Sequence, residues 1–209
     1  MSVKYLIVIL ILSVIEVKII AAANNNGGAV TFEEAPLNEI TKSEILEDKT
    51  FVESIVTNLE KDKKKIQTLK FHAAGLHKKS CTFALRKMSL YEKQKDYLSF
   101  VKESTYDEKS ERINLLLSSP ILPFNMILDF KIERITEPGK YNFVFDKGFL
   151  KDLKGEINAS AHKDRCFFYV RADWVGPDTN FPNKVFEFFS STLGKLGIDN
   201  MFRVSTIWP

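Results

Sequence analysis

Residues 124–135 carry the cleanest alternation in the chain. Phe124, Met126, Leu128, Phe130 and Ile132 fall on one face, and Asn125, Asp129, Lys131 and Glu133 on the other. A period of two over that length predicts a β-strand with one buried and one wet face. Similar runs flank it. Residues 101–108 and 112–118 read as strands, with Pro120 and Pro123 breaking the chain before the next. Glu137-Pro138-Gly139 is a turn, after which Tyr141, Phe143 and Phe145 alternate with Asn142, Val144 and Asp146. Residues 155–162 set Ile157, Ala159 and Ala161 against Glu156, Asn158, Ser160 and His162. Beyond the polar turn Lys163-Asp164, Cys166, Phe168, Val170 and Ala172 oppose Phe167, Tyr169 and Arg171.

Helical spacing replaces this alternation twice. Phe83, Leu85, Met88 and Leu90 recur three to five positions apart, and Ser89-Leu-Tyr-Glu92 matches a capping box. Two short helices follow, about 81–88 and 90–97, each needing something to pack against. From Pro182, which suits a first helical turn, Val185, Phe186, Phe189, Leu193 and Leu196 form an apolar stripe. Gly194 and Gly197 are expected to bend or fray that helix. Residues 50–57 suit either a strand or a short helix. The turn Lys61-Asp62-Lys63-Lys64-Lys65 and the run 66–74 favour a β-hairpin.

The ends read differently. Lys4, the apolar run from Tyr5 to Ile15 and Ala21-Ala22-Ala23 match a secretory signal peptide over residues 1–23. The run is shorter than the roughly 20 residues that cross a bilayer; an uncleaved anchor is the alternative. The expected location is therefore exported, periplasmic or secreted. Residues 24–49 open on Asn-Asn-Asn-Gly-Gly and read as a flexible leader with one helical turn near 43–47. Residues 50–209 then form a single domain with its core at 66–205.

Charge and composition narrow the partners. The net charge is +3, and without residues 1–23 it is +2, from 28 basic and 26 acidic residues. Such balance does not suit a nucleic-acid partner, which needs a concentrated positive face. The lysine-rich turn is read as a solvated turn rather than a phosphate or anionic-lipid contact. Seventeen Phe supply ample core area. Cys81 and Cys166 match no zinc or redox spacing. They are either two buried thiols or a disulfide, which an oxidising compartment permits.

No catalytic motif appears: the chain has no Gly-rich phosphate loop, no paired metal-ligand spacing and no nucleophile elbow. No metal ligand, catalytic residue or cofactor is assigned. His72, His77 and His162 are expected at the surface. Asn158-Ala-Ser160 fits a glycosylation sequon, which has meaning only in a eukaryotic secretory pathway. Asp129 and Glu133 share a wet face with Lys131, and Glu103 is at most an isolated carboxylate at an edge.

In element order the chain resembles the helix-grip superfamily, which includes START-type lipid-transfer domains, the birch-pollen-allergen family and the polyketide cyclase/dehydrase-like proteins. The segment from Lys78 to Tyr91 resembles its first helix, residues 96–102 the entry to its second strand, and Gly155-Glu-Ile-Asn-Ala159 its sixth strand. Ile157 departs from the aromatic that members often carry near that glycine. The resemblance implies an α+β fold, with a curved antiparallel sheet of about seven strands wrapped around the C-terminal helix. It also implies that the first strand lies antiparallel to the last, which makes Cys81 and Cys166 neighbours and a disulfide of about 3–4 kcal/mol feasible.

A sheet gripping one helix implies a cavity lined by its concave face. The candidates are Leu115, Leu117, Phe124, Met126, Leu128, Phe130, Tyr141, Phe143, Phe145, Ile157, Phe168 and Val170, with Val185, Phe189 and Leu193 opposite on the helix. Ala159 and Ala161 would widen it, Tyr141 would supply an internal hydroxyl, and Arg112 or Arg171 would anchor a head group. The expected function is an exported soluble, monomeric binder of a lipid or other apolar small molecule, in transient contact with membranes. The alternatives are an interaction module without a ligand and a cyclase/dehydrase-like enzyme using Tyr141 and Glu103.

Overall fold

The computed structural model describes residues 28–118, 125–148 and 150–207. The proposed signal segment and Phe124 lie outside them. The alternating segments form one antiparallel sheet. Its strands are β1 (Phe51–Lys61), β2 (Lys64–His77), β3 (Val101–Asp107), β4 (Arg112–Leu117), β5 (Met126–Lys131), β6 (Gly139–Val144), β7 (Lys154–His162) and β8 (Arg165–Pro177). Their spatial order is β1-β2-β8-β7-β6-β5-β4-β3. This is eight strands rather than about seven, because residues 50–57 belong to a strand that pairs with β2 along its whole length. Asp62 and Lys63 join the two with φ of 53° and 60°. Positive φ at both central residues suits a hairpin turn whose twist matches its strands.

The long alternation at 124–135 ends earlier than its pattern suggests. Beyond Lys131 the chain leaves the ladder, and Ile132 N–H donates to the carbonyl of Glu111 at 2.8 Å. β5 and β6 consequently pair at Lys131↔Val144 alone.

Between β2 and β3 the chain forms α2 (Cys81–Met88), a 3-10 turn (Tyr91–Lys93) and α3 (Gln94–Tyr97), preceded in sequence by α1 (Glu39–Leu46). The last element, α4 (Asn183–Ile207), runs unbroken through Gly194 and Gly197. It starts where Pro182 predicts: that carbonyl accepts from Val185 and Phe186 N–H at 2.9 and 3.0 Å.

Two buried polar side chains of β2 hold the two ends of α4. Gln67 donates through Nε2 to the Phe181 carbonyl at 3.1 Å and to Asn183 Oδ1 at 2.9 Å. Its Oε1 accepts from Thr179 Oγ1 at 2.6 Å. At the far end, His77 Nδ1 accepts from Lys79 N–H at 3.0 Å, which leaves the proton on Nε2. That Nε2 lies 2.9 Å from Ser205 Oγ. The Ser205 hydroxyl donates to the Met201 carbonyl at 2.5 Å and so has lone pairs free for His77. Surface placement of the histidines fails most clearly here, since His77 is fully buried.

Cys81, the first residue of α2, is disulfide-bonded to Cys166 on β8. The register His77↔Cys166 brings them together. Closing a loop of 85 residues stabilises the fold by about 4 kcal/mol.

Residues 28–49, read as a flexible leader, instead pack on the convex face of the sheet. Phe32 meets Phe167 edge-on at 5.2 Å and His162 at 4.6 Å, and Ile45 is fully buried. His162, expected in solvent, is half-buried with Nδ1 3.1 Å from Glu33 Oε1. Asn38 caps α1 by accepting from Thr41 N–H at 2.8 Å. Asn158 and Ser160 hold this segment in place. Asn158 Oδ1 accepts from Val30 N–H at 3.1 Å, and Ser160 Oγ donates to the Val30 carbonyl at 3.0 Å. The sequon amide is therefore buried, and its nitrogen donates to Glu156.

Burial lowers the His77 pKa below its ordinary value of 6.5. The unfolded chain then binds the proton more readily than the folded one. Stability should be full above about pH 6.5 and fall as pH drops below it. Urea unfolding between pH 7.5 and 5 should show this slope, and His77→Gln should flatten it; an unchanged slope would dissociate His77 from it.

Candidate functional site

Between the concave face and α4 lies a cavity of two lobes, each about 320 Å³. The first lies toward the start of α4, between β3–β5 and the side chains of Phe145, Leu150 and Leu153. Leu69, Leu115, Leu117, Met126, Leu128, Phe143, Phe145, Phe186 and Phe189 wall it, and Ser190 is its one polar side chain among the described residues. Ser190 Oγ is already engaged with the Phe186 carbonyl at 2.8 Å. The second lobe lies toward the end of α4, between α2, Ile157, Phe168, Met201 and Phe202. Ser89, Tyr91 and Gln94 give it one polar corner.

Phe71, Leu98, Val170, Leu193, Gly194 and Gly197 line both lobes. The two glycines make the shared wall possible. A Cβ on Gly194 would sit 2.6 Å from Phe71 Cζ, so only glycine lets that ring lie against the helix. A Cβ on Gly197 would meet nothing within 4 Å and would project into open space. These glycines shape the cavity instead of fraying the helix.

Strand parity placed much of this wall. Leu115, Leu117, Met126, Leu128, Phe143, Phe145, Ile157, Phe168 and Val170 line one lobe or the other, as do Phe189 and Leu193. Three candidates do not. Phe130 stands behind the wall, stacked on Phe145 at 4.5 Å. Tyr141 donates its hydroxyl to the Glu137 carbonyl at 2.6 Å, so it is bound to its own turn rather than offered to a guest. Val185 is 38% exposed, because the Gln67 grip on Asn183 turns Phe186 and Ser190 inward in its place.

The suggested polar anchors are also elsewhere. Arg112 is bound to Asp129 and Asp146, its two bonds to Asp146 being 2.9 and 2.7 Å. That guanidinium holds the Asp146 carboxyl down at about 2. Arg171 pairs with Glu156 at 3.0 Å. Burial opposes ionisation of Glu156, yet Lys140, Asn158 and Arg171 together hold its pKa low. Glu103 is exposed, and Ala161 is exposed while Ala159 packs in the core. Tyr141 and Glu103 thus form no joint site.

Several lining residues escaped the sequence. Leu69 and Phe71 share the parity that turns His72 outward and were legible from it. Leu98 and Phe181 sit at element ends where periodicity gives no direction, and Phe202 lies beyond the two glycines expected to bend or fray the helix. Tyr91 is held by its hydroxyl, which donates to the Glu133 carbonyl and accepts from Ile135 N–H, both at 3.2 Å. Burial raises its pKa far above the ordinary phenol value. It is neutral at any physiological pH. Among the described residues no group of His, Cys, Asp and Glu is placed to hold a metal ion.

No family model and no curated protein matches the sequence. Solved structures do match in fold. A protein of Thermus thermophilus gives a TM-score of 0.54 at 11% identity, covering 66% of this chain and 97% of that one. A START superfamily protein from Mycobacterium smegmatis gives 0.51 at 12% identity, over 66% and 99%. The di-domain aromatase/cyclase StfQ of steffimycin biosynthesis gives 0.50 at 8% identity, over 67% of this chain and 52% of that one. The fold is the helix-grip fold of the START and polyketide-cyclase proteins.

Gly197→Leu should extend a side chain into the space between the lobes, its Cβ meeting nothing within 4 Å. Helix propensity would raise stability by up to about 1 kcal/mol, while uptake of an apolar fluorophore should fall at least about tenfold. Unchanged uptake in a folded variant would show that the guest lies elsewhere.

Proposed function

We propose that this protein is an exported, soluble, monomeric carrier that encloses an uncharged apolar molecule between its sheet and α4. One observation carries the reading: among the described residues the lobes are lined almost wholly by apolar side chains, with no Lys, Arg, Asp or Glu on either wall. Each lobe alone reaches the lower end of the roughly 300–1,000 Å³ usual for small-molecule sites. A charged group inside would remain unpaired at high cost, so the guest is a neutral lipid or isoprenoid-like molecule. A single uncharged polar end would suit the corner at Ser89 and Gln94, the Tyr91 hydroxyl there being already engaged. Export is supported by the signal-like pattern of residues 1–23 and by the disulfide, which is characteristic of oxidising compartments.

Delipidated protein should take up phenylnaphthylamine with one-to-one stoichiometry. At pH 8, dodecanol should displace this probe at least about tenfold more effectively than dodecanoate, since only the latter brings a charge to an unpartnered site. Indifference to the probe, or stronger competition by the carboxylate, would contradict the reading.

A further inference from the structure

The convex face of the sheet divides into two halves. Residues 28–49 cover one half, burying Phe167, Tyr169, Ala74 and Leu76. The other half continues the same face toward the β1–β2 turn, and no described residue covers it. There Ile55, Thr57 and Leu59 pair with Lys70, Thr68 and Ile66, which pair in turn with Asp173, Val175 and Pro177. Directly paired residues share a face, so these nine form a grid three strands wide. Its apolar members stand in water: Ile55 is 43% exposed, Leu59 53% and Val175 60%. At its centre Thr57 and Thr68 bond each other at 2.6 Å, so each of these hydroxyls has a partner within the sheet.

The rim of this patch is basic. Lys64 and, within the grid itself, Lys70 lie on the same face by parity, Lys63 occupies the turn, and Lys65 beside it has the opposite parity. None of the four forms an ion pair among the described residues, and the acidic neighbours include Glu60, Asp62, Asp173 and Asp178. The tip also projects, since β2 pairs with β8 only as far as Ile66↔Pro177 and residues 60–65 extend beyond it.

We propose that this hairpin is a docking surface for an anionic membrane. Unpaired lysines around a few exposed aliphatic side chains on a projecting tip match what a negatively charged lipid interface rewards: shallow apolar insertion plus non-directional charge attraction. An acidic protein partner would more fittingly be met by directional arginine pairs, and none stands here. The tip lies at the end of the sheet where Gln67 holds the start of α4, so docking presents the Phe181 end of the cavity to the bilayer. The proposal does not require the cavity to hold a guest.

Hydrogen exchange of the full chain reads the tip locally. Vesicles of equal phosphatidylcholine and phosphatidylserine should slow exchange at residues 57–68, and added salt should abolish the effect. The combined Lys63→Glu, Lys64→Glu and Lys65→Glu variant should need at least about a hundredfold more lipid for the same protection. Leu59→Ser with Val175→Ser should need severalfold more, and both variants should take up phenylnaphthylamine as the parent does. The proposal is overturned if the tip is unprotected, or equally protected by phosphatidylcholine alone. Equal protection by polyglutamate would identify an acidic protein partner instead. Protection already present without vesicles would mean that the chain covers its own patch.

Discussion

The architecture depends on β2 holding α4 at both ends through buried polar contacts. Ten residues of strand separate Gln67 from His77, and twenty-two of helix separate Asn183 from Ser205. At about 3.3 Å and 1.5 Å per residue, both span about 33 Å. The lengths match, so one strand fixes the helix at two points without bending it. Each contact is costly to break, because a buried amide or imidazole left unpaired forfeits its hydration as well as its bond. Further contacts from β1 secure the same flank: Ser54 to Ser190, and Val56 N–H to Glu187 Oε1 at 3.0 Å. The helix is thus fastened along β1 and β2, while the sheet curves away toward β3. The cavity is the space this asymmetric fastening leaves.

The disulfide and the N-terminal segment reinforce that frame from opposite sides. Cys81–Cys166 ties α2 to β8 at the residue directly paired with His77, so helix end, sheet and α2 meet at one corner. On the outer face Asn158 and Ser160 clamp Val30, and Phe32 and Ile45 cover Phe167. With rigid support on both faces, the sheet has no need to fill its concave side with side chains. Phe71 lines both lobes, and Gly194 makes room for its ring against the helix.

Legibility in the sequence followed the strength of each periodic signal. A period of two assigns a face, so Leu115, Leu117, Met126, Leu128, Phe143 and Phe168, which line the cavity, were legible as one face from residue order. The helical stripe was less decisive. Val185 and Phe186 are adjacent, and either fits a stripe through Phe189 and Leu193. The choice is made by Gln67 binding Asn183, a contact between positions 116 residues apart. The N-terminal segment was missed because its few large apolar residues stand singly in a polar context. A flat sheet face needs only such isolated anchors to hold a chain. Tyr141 was misjudged because parity gives the direction of a ring but not the destination of its hydroxyl.

The central claim is that space lined with hydrocarbon persists between sheet and helix in solution. Dissolved xenon enters such spaces and shifts the resonances of methyl groups lining them. Saturable shifts should appear at Leu115 and Leu193 around the first lobe and at Ile157 and Met201 around the second. Shifts confined to surface methyls such as Ile55 and Leu59, with none at those four, would mean that the helix has closed onto the sheet and no cavity exists.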